Sequence, residues 1–291
     1  ALGLTAFERD LLLLCAGVEL DAQFATLCAE RNGDGNRGYA TFGLAFAALP
    51  NGHWNAITPG APLRHWRLLN LGAGPALASS PLRIDERIRH FLTGLDGLDT
   101  RFAGLVTPVA PTGQLAPSQT ELVSAIVAAW SSIPTPAEIP TIQLSGRSGE
   151  DAYAIAATAA GELACPLYSI SALDLPGEPQ ALDEFVRLWT REAALSGCLL
   201  LVDCSALEAA DNQRRHITQK LMQQLVCPLL IWAYEPLGGI RRRSINLDVP
   251  RPSHAEQVAL WQGELGPAAT ALNGAVEHLA TQFSLSAHTI G

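Results

Sequence analysis

Ser145-Gly-Arg-Ser-Gly-Glu-Asp-Ala-Tyr153 is the segment whose residue types and spacing come nearest to phosphate chemistry. It lies between a predicted strand over 141–144 and a predicted helix over 151–163, where a loop of the form G-x-x-x-x-G-K-[ST] belongs. In such a loop the backbone amides hold the phosphates, the lysine contacts the β and γ phosphates, and the hydroxyl binds magnesium. Gly146 starts the pattern here.

Three of the residue types that this pattern requires are replaced. The second glycine falls on Asp151, the lysine on Ala152 and the hydroxyl on Tyr153. Glu150 adds a second carboxylate, and the only lysine, Lys220, lies on another predicted helix. At an effective dielectric constant near 20, each such charge change close to a phosphate is worth on the order of 2–4 kcal/mol. A strand-to-helix turn capped by acidic residues is therefore favoured over a working triphosphate site.

A second candidate lies at the end of the strand predicted over 198–202. Asp203 stands where nucleotide-hydrolysing folds carry a magnesium-binding aspartate, but the next position, where a carboxylate would orient water, is Cys204. Capping of a turn is the commoner role for a strand-end aspartate. No metal site is expected unless Asp203 retains magnesium, and the two segments together indicate a nucleotide-binding fold that has lost its chemistry.

Arginines supply the remaining candidates. Arg241 and Arg242 are candidates for an arginine finger that contacts a phosphate of a neighbouring subunit, and a solvated charge run is the competing interpretation. Five arginines cluster around a predicted β-hairpin and could contact DNA: Arg64, Arg67, Arg83, Arg87 and Arg89. Asp85 and Glu86 interrupt this cluster, and the first 110 residues carry nine basic and ten acidic side chains. A protein-binding face is therefore favoured over a DNA-binding one.

The elements that must position these residues divide at a proline-rich stretch. Residues 1–107 are predicted to be a mostly helical domain with a short hairpin, in a winged-helix arrangement. Residues 108–140 form a proline-punctuated linker with one helix, which the capping box Ser118-Gln-Thr-Glu121 opens. In 141–252, strands alternate with helices, which predicts an α/β core with a parallel sheet covered on both faces. Residues 253–291 are predicted to be helical.

Composition excludes several classes of protein. The 291 residues are 48% apolar and 16% charged, and their net charge of −9 argues against a nucleic-acid sleeve. The apolar run 11–18 is too short for a bilayer, and Glu8 and Asp10 stand where a signal peptide would be basic, so neither a membrane span nor secretion is predicted. Six cysteines without a C-x-x-C pair are typical of buried, reduced thiols in a cytoplasmic protein.

Beyond these local patterns, the chain resembles a known family. Segments 7–21, 41–45 and 80–87 are similar to the N-terminal region of bacterial AAA+ ATPases found with extracellular contractile injection systems. The order of strands and helices after Gly146 resembles an AAA+ module with a helical lid. In that family a winged-helix-like region precedes a degenerate ATPase module and a second module with an intact phosphate loop. The resemblance covers essentially the whole chain and implies that it corresponds to the first two parts, with an interrupted lid.

The resemblance assigns vestigial nucleotide-binding positions to Gly146, Ser148, Gly149, Asp151, Ala152, Asp203 and Cys204. Tyr234 and Glu235 stand where a polar sensor residue would end its strand. The departures at Ala152 and Cys204 imply no catalysis and no required cofactor in this module, with ATP and magnesium as the group that a retained site would take. The parent protein would be an ATP-driven remodelling ring of identical subunits. Its partners would be proteins, including injection-system components, and neither nucleic acid nor membrane.

Three hypotheses follow for function. The leading one is a non-hydrolysing segment whose first domain recognises a protein partner and whose inactive module is a scaffold in the ring. The alternative is a winged-helix DNA-binding regulator with a second domain that senses a ligand or nucleotide. The third is a module that senses nucleotide without hydrolysis, since backbone amides around 146–149 can bind an anion.

Overall fold

The computed structural model describes residues 2–111, 113–131, 138–208, 210–239, 241–266, 274–283 and 285–290. The chain divides into two compact units, Ala1–Arg101 and Phe102–Gly291. Residues 132–137 of the predicted linker and 267–273 of the predicted lid lie outside the described residues.

Helices followed by a hairpin make up the first unit. Its elements are α1 (Ala6–Leu20), α2 (Ala22–Asn32), α3 (Phe42–Ala48), α4 (Pro62–His65), β1 (Leu69–Leu71), β2 (Leu82–Ile84) and α5 (Glu86–Leu92). A capping box between Thr5 and Glu8 starts α1, and Gly33, with a φ of 68°, ends α2. The strands pair antiparallel with Leu69 opposite Ile84. This is the arrangement that the sequence predicts, with the short helix α4 in addition.

Apolar side chains from these elements fill the centre of the first unit. Phe7 and Leu11 of α1, Phe42 of α3 and Leu63 of α4 are each 1% exposed or less. In the described ranges, no single helix is long and apolar enough to cross a bilayer. Only α1 and α2 taken together meet that test of length and composition, and they are bent by 116° at their junction.

Helices surround a mostly parallel sheet in the second unit. Its elements are β3 (Thr107–Val109), α6 (Pro117–Ser131), β4 (Thr141–Gly146), α7 (Gly149–Glu162), β5 (Leu167–Ser171), α8 (Pro179–Ser196), β6 (Leu199–Asp203), α9 (Asn212–Gln224), β7 (Leu229–Ala233), β8 (Ser244–Val249), α10 (His254–Leu265), α11 (Ala275–Gln282) and α12 (Ala287–Ile290). The strand order is β3-β5-β6-β7-β4-β8. The strands from β4 to β8 pair in parallel, and β3 pairs antiparallel with β5 at the edge.

Both faces of this sheet are covered, as the sequence predicts. Ile142 and Leu230 pack on one face in a cluster with Trp130 of α6, so the segment expected to be a linker contributes to this core. Alternate strand residues point to the opposite face. There the ring of Tyr168 contacts Trp189 of α8, with 6.0 Å between ring centroids.

Two features differ from the sequence-based expectation. Helix α6 begins at Pro117, so Ser118 lies inside the helix and the predicted capping box with Glu121 is wrong. The backbone N–H of Ser118 donates instead to Glu256 Oε1 at 2.8 Å. Strand β3 was not expected, because three residues around Pro108 carry no strand pattern. Proline is tolerated there because β3 is an edge strand.

Candidate functional site

The turn between β4 and α7 is the centre of the candidate site, and it is short. Strand β4 ends at Gly146 and α7 begins at Gly149, so only Arg147 and Ser148 connect them. Ser148 is the N-cap, and its Oγ accepts the backbone N–H of Asp151 at 3.2 Å. A phosphate loop wraps its ligand with the backbone amides of an extended glycine-rich segment. Here the corresponding residues are already helical.

Both glycines of this turn have a packing reason to be glycine. Gly146 has a φ of 154°, and a Cβ on it would lie 2.9 Å from the carbonyl oxygen of Val249 in β8. A Cβ on Gly149 would lie 3.2 Å from Nε1 of Trp232. The close approach of β8 and of the indole ring therefore accounts for these glycines without a ligand.

The lysine position is part of the core. Ala152 has no exposed surface and packs in the cluster beneath α7. Lys220, on α9, donates to Asp183 Oδ1 of α8 at 3.0 Å. The first turn of α7 therefore lacks the lysine of a phosphate loop, and the lysine on α9 pairs with a carboxylate of α8.

The two carboxylates at the start of α7 contact the end of the chain. Asp151 is fully buried, and its Oδ1 accepts the backbone N–H of Ala287, the first residue of α12, at 3.1 Å. Glu150 Oε2 accepts the hydroxyls of Ser286 at 3.2 Å and Thr289 at 3.3 Å. Negative charge and a packed helix therefore occupy the approach to the α7 N-terminus.

Asp203, at the end of β6, is held by protein groups on both oxygens. Oδ2 accepts the Tyr153 hydroxyl at 3.0 Å, and Oδ1 accepts the backbone N–H and hydroxyl of Ser205 at 2.8 and 2.6 Å. Burial and the Asp203 charge raise the pKa of Tyr153 to about 12, so its hydroxyl stays protonated and donates. Ala152, Tyr153 and Asp203 therefore do not form the lysine, hydroxyl and aspartate set that holds a magnesium nucleotide.

Cys204, the position that follows Asp203, is a buried thiol. Burial, followed by the Asp203 charge, raises its pKa to about 12, so it is neither a base nor a nucleophile at neutral pH. Its backbone N–H donates to the carbonyl of Trp232 at 2.7 Å, which joins the ends of β6 and β7. Beyond β7, Tyr234 and Glu235 are exposed, and the Tyr234 ring contacts the indole of Trp232 edge-on.

An open cleft of about 360 Å³ lies beside the turn, lined by Arg147, Ser148, Gly149, Glu150, Arg251 and Ser286. Arg147 and Arg251 are exposed at its rim. The cleft therefore combines two arginines with one carboxylate and the N-terminus of α7.

The arginines proposed as a finger have different environments. Arg241 is exposed. The guanidinium of Arg242 donates to the carbonyl oxygens of Ile139, Leu225 and Cys227. These groups lie around the amino ends of strands β4, β7 and β8, and the Gly146 turn lies at the opposite, carboxyl ends of the strands. The Arg242 side chain is thus engaged within its own chain.

Sequence patterns missed Arg251 and the α12 contacts. Arg251 follows the carboxyl end of β8, and β8 is the parallel neighbour of β4, so the strand order places it beside Gly146. No local signal marks Ser286 or Thr289. Within the described ranges, no group of three or more His, Cys, Asp or Glu side chains could hold a metal ion.

Two family models match the chain at its ends. Residues 1–106 match "Winged helix domain, variant", and residues 253–291 match "Contractile injection system ATPase helical domain". The chain thus combines a winged helix domain, an α/β unit with a mostly parallel sheet and a helical domain of the contractile injection system ATPase type. The resemblance to contractile injection system ATPases is confirmed. No curated protein sequence shows significant similarity to the chain.

Among solved structures, the chain is similar to a chain of the E. coli MS115-1 HORMA:CdnC:Trip13 complex. That alignment has a TM-score of 0.36 at 16% identity, over 57% of this chain and 73% of the other. The chain is also similar to the FIGL-1 AAA domain in complex with ADP. That alignment has a TM-score of 0.47 at 15% identity, over 67% and 77% of the two chains. At this distance, what the site can do has to follow from its own residues.

Proposed function

We propose that this chain is the non-hydrolysing part of a contractile injection system ATPase, with an α/β module that is a scaffold in a ring of identical subunits. The observation that carries the proposal is the occupied phosphate position, where Glu150 and Asp151 bind α12. ATP-driven remodelling would belong to another module of the parent protein. We place the protein in the cytoplasm, since the described cysteines form no disulfide.

Electrostatics support the scaffold. Each carboxylate near a phosphate opposes its binding by on the order of 2–4 kcal/mol at an effective dielectric constant near 20. Glu150, Arg147 and Arg251 are exposed, so solvent reduces the contribution of each of these three charges to about 1 kcal/mol or less, and only the buried Asp151 keeps the full value. Asp151 therefore outweighs the arginines, and triphosphate binding is weakened roughly tenfold or more.

For the first unit we propose recognition of a protein partner. Leu13 and Leu20 of α1 and Leu27 of α2 are more than half exposed. The first two flank Gly17, on which the Phe24 ring of α2 packs. Apolar side chains grouped on a surface support a protein interface.

The arginines of the first unit argue against the DNA-binding alternative. Arg64 donates to the carbonyl of Ile57 at 2.6 Å, and Arg89 pairs with Glu19 at 2.9 Å, so these charges are used within the unit. Salt-dependent duplex binding by the whole chain, lost when Arg83 is replaced by alanine, would favour the regulator instead.

A nucleotide or anion sensor remains the second candidate, because two arginines line the cleft at the α7 N-terminus. Calorimetry of the whole chain with ATP and ADP in magnesium separates the candidates. The scaffold predicts no binding up to about 1 mM nucleotide. Micromolar binding that is lost in Arg147→Ala with Arg251→Ala, and kept in Arg83→Ala, would establish the sensor. ATP hydrolysis abolished by Asp203→Asn would overturn both.

A further inference from the structure

Hydrogen bonds join helix α12 and the preceding Ser286 to the first turn of α7. The bonded residues are 136 or more positions apart in sequence. Asp151 accepts the first N–H of α12, and Glu150 accepts two hydroxyls of the same turn. Ala287 and Ile290 are buried in a cluster with Leu260 of α10. The contact is therefore both polar and apolar.

Asp151 depends on this contact. It has no exposed surface, and among the described residues its Oδ2 has no hydrogen-bond partner. The N–H of Ala287 and the α7 N-terminus are what stabilise its charge there. If α12 left, water would reach the carboxylate, so burial of Asp151 and seating of α12 occur together.

We propose that α12 is a latch, and that Glu150 and Asp151 take the place of a bound phosphate in holding the lid on the core. In this arrangement the lid position does not depend on nucleotide. The latch also closes one wall of the cleft, because Ser286 lines it together with Arg147 and Arg251. Release of α12 widens this cleft at the α7 N-terminus. This inference goes beyond the scaffold role and stands or falls without it.

Hydrogen exchange by mass spectrometry, on the whole chain without nucleotide, tests the latch. In Glu150→Ala with Asp151→Ala, amides over 285–290 should exchange about tenfold faster or more, since three charge-assisted hydrogen bonds are lost. Strands β4, β6 and β7 should keep their protection. The matched control is Glu162→Ala, an exposed carboxylate at the other end of α7.

Two further variants keep the test decisive if the double variant does not fold. Asp151→Asn keeps an acceptor oxygen and should give a smaller increase than Asp151→Ala. Ser286→Ala with Thr289→Ala removes the partners of Glu150 from the lid side and should accelerate exchange over the same segment. Unchanged exchange at 285–290 in folded variants would overturn the latch. Nucleotide binding by the wild-type chain would instead overturn the proposed scaffold and leave this result standing.

Discussion

The hydroxyl of Tyr153 donates a 3.0 Å hydrogen bond to Asp203. In a working phosphate loop the corresponding hydroxyl and aspartate both bind magnesium. Here they bind each other, which links α7 to the end of β6.

This link should contribute to stability. We expect Tyr153→Phe to lower the free energy of unfolding by about 1–2 kcal/mol, because Asp203 loses a donor in a partly buried place. Urea unfolding measures the change. Tyr234→Phe, at a tyrosine that is 60% exposed, is the control and should stay within about 0.5 kcal/mol of the wild type. Equal effects of the two variants would contradict a structural role for the hydroxyl.

A lysine introduced at position 152 should destabilise the fold and should not create a nucleotide site. Ala152→Lys places a long charged side chain in a fully buried position, and we expect a loss of roughly 3 kcal/mol or more. Thermal unfolding with and without magnesium ATP is the measurement. Ala125→Lys, on the exposed side of α6, is the matched control and should be tolerated. Stabilisation of the Ala152→Lys variant by ATP would show that the turn can still form a nucleotide site.

Alanine substitutions of the two candidate finger arginines, Arg241 and Arg242, should have different effects on stability. Arg242→Ala leaves the carbonyls of Ile139, Leu225 and Cys227 without their donor, so we expect a loss of about 2–4 kcal/mol in urea unfolding. Arg241→Ala should change stability by less than about 0.5 kcal/mol. A finger role for Arg241 requires that its variant lower ATP hydrolysis by the parent assembly without a change in stability.

Acid should weaken the attachment of α10 to α6. Burial opposes ionisation of Glu256, but hydrogen bonds from Ser118 and Ser253 outweigh it and lower its pKa to about 2. Because this pKa lies below the ordinary value of 4.5, the stabilisation is complete above pH 4.5 and is lost as the pH falls towards 2. The difference in unfolding free energy between the wild type and Glu256→Gln should shrink over that range. Glu264→Gln, at an exposed carboxylate, should show no such trend.

The sheet was the most predictable part of the fold. Strand β7 and the first four residues of β6 are continuous apolar runs, because parallel strands buried on both faces have no polar side to alternate with. The positions of Gly146, Asp151 and Asp203 at strand ends and helix starts followed from the same pattern. What the site can do depends on residue types, and Ala152 and Cys204 depart from the lysine and the carboxylate of a working site.

What the sequence could not reveal were contacts between distant segments. Nothing near Ser286 indicates that its partner is Glu150, and a run of three arginines does not indicate that Arg242 serves carbonyls of its own chain. Such contacts depend on how the sheet brings chain ends together. The predicted capping box was wrong for the same reason, since the backbone N–H of Ser118 donates to Glu256, 138 residues away in sequence.

The two-residue turn between β4 and α7 has a consequence for engineering. Every position of the phosphate-loop pattern from Gly146 to Tyr153 is filled, but the residues from Gly149 onward are already helical. An engineered nucleotide loop here would have to unwind the first turn of α7 and gain the space that β8 and Trp232 now fill. We therefore expect that grafting single side chains would not suffice, and that a redesign of this surface has to begin with the backbone.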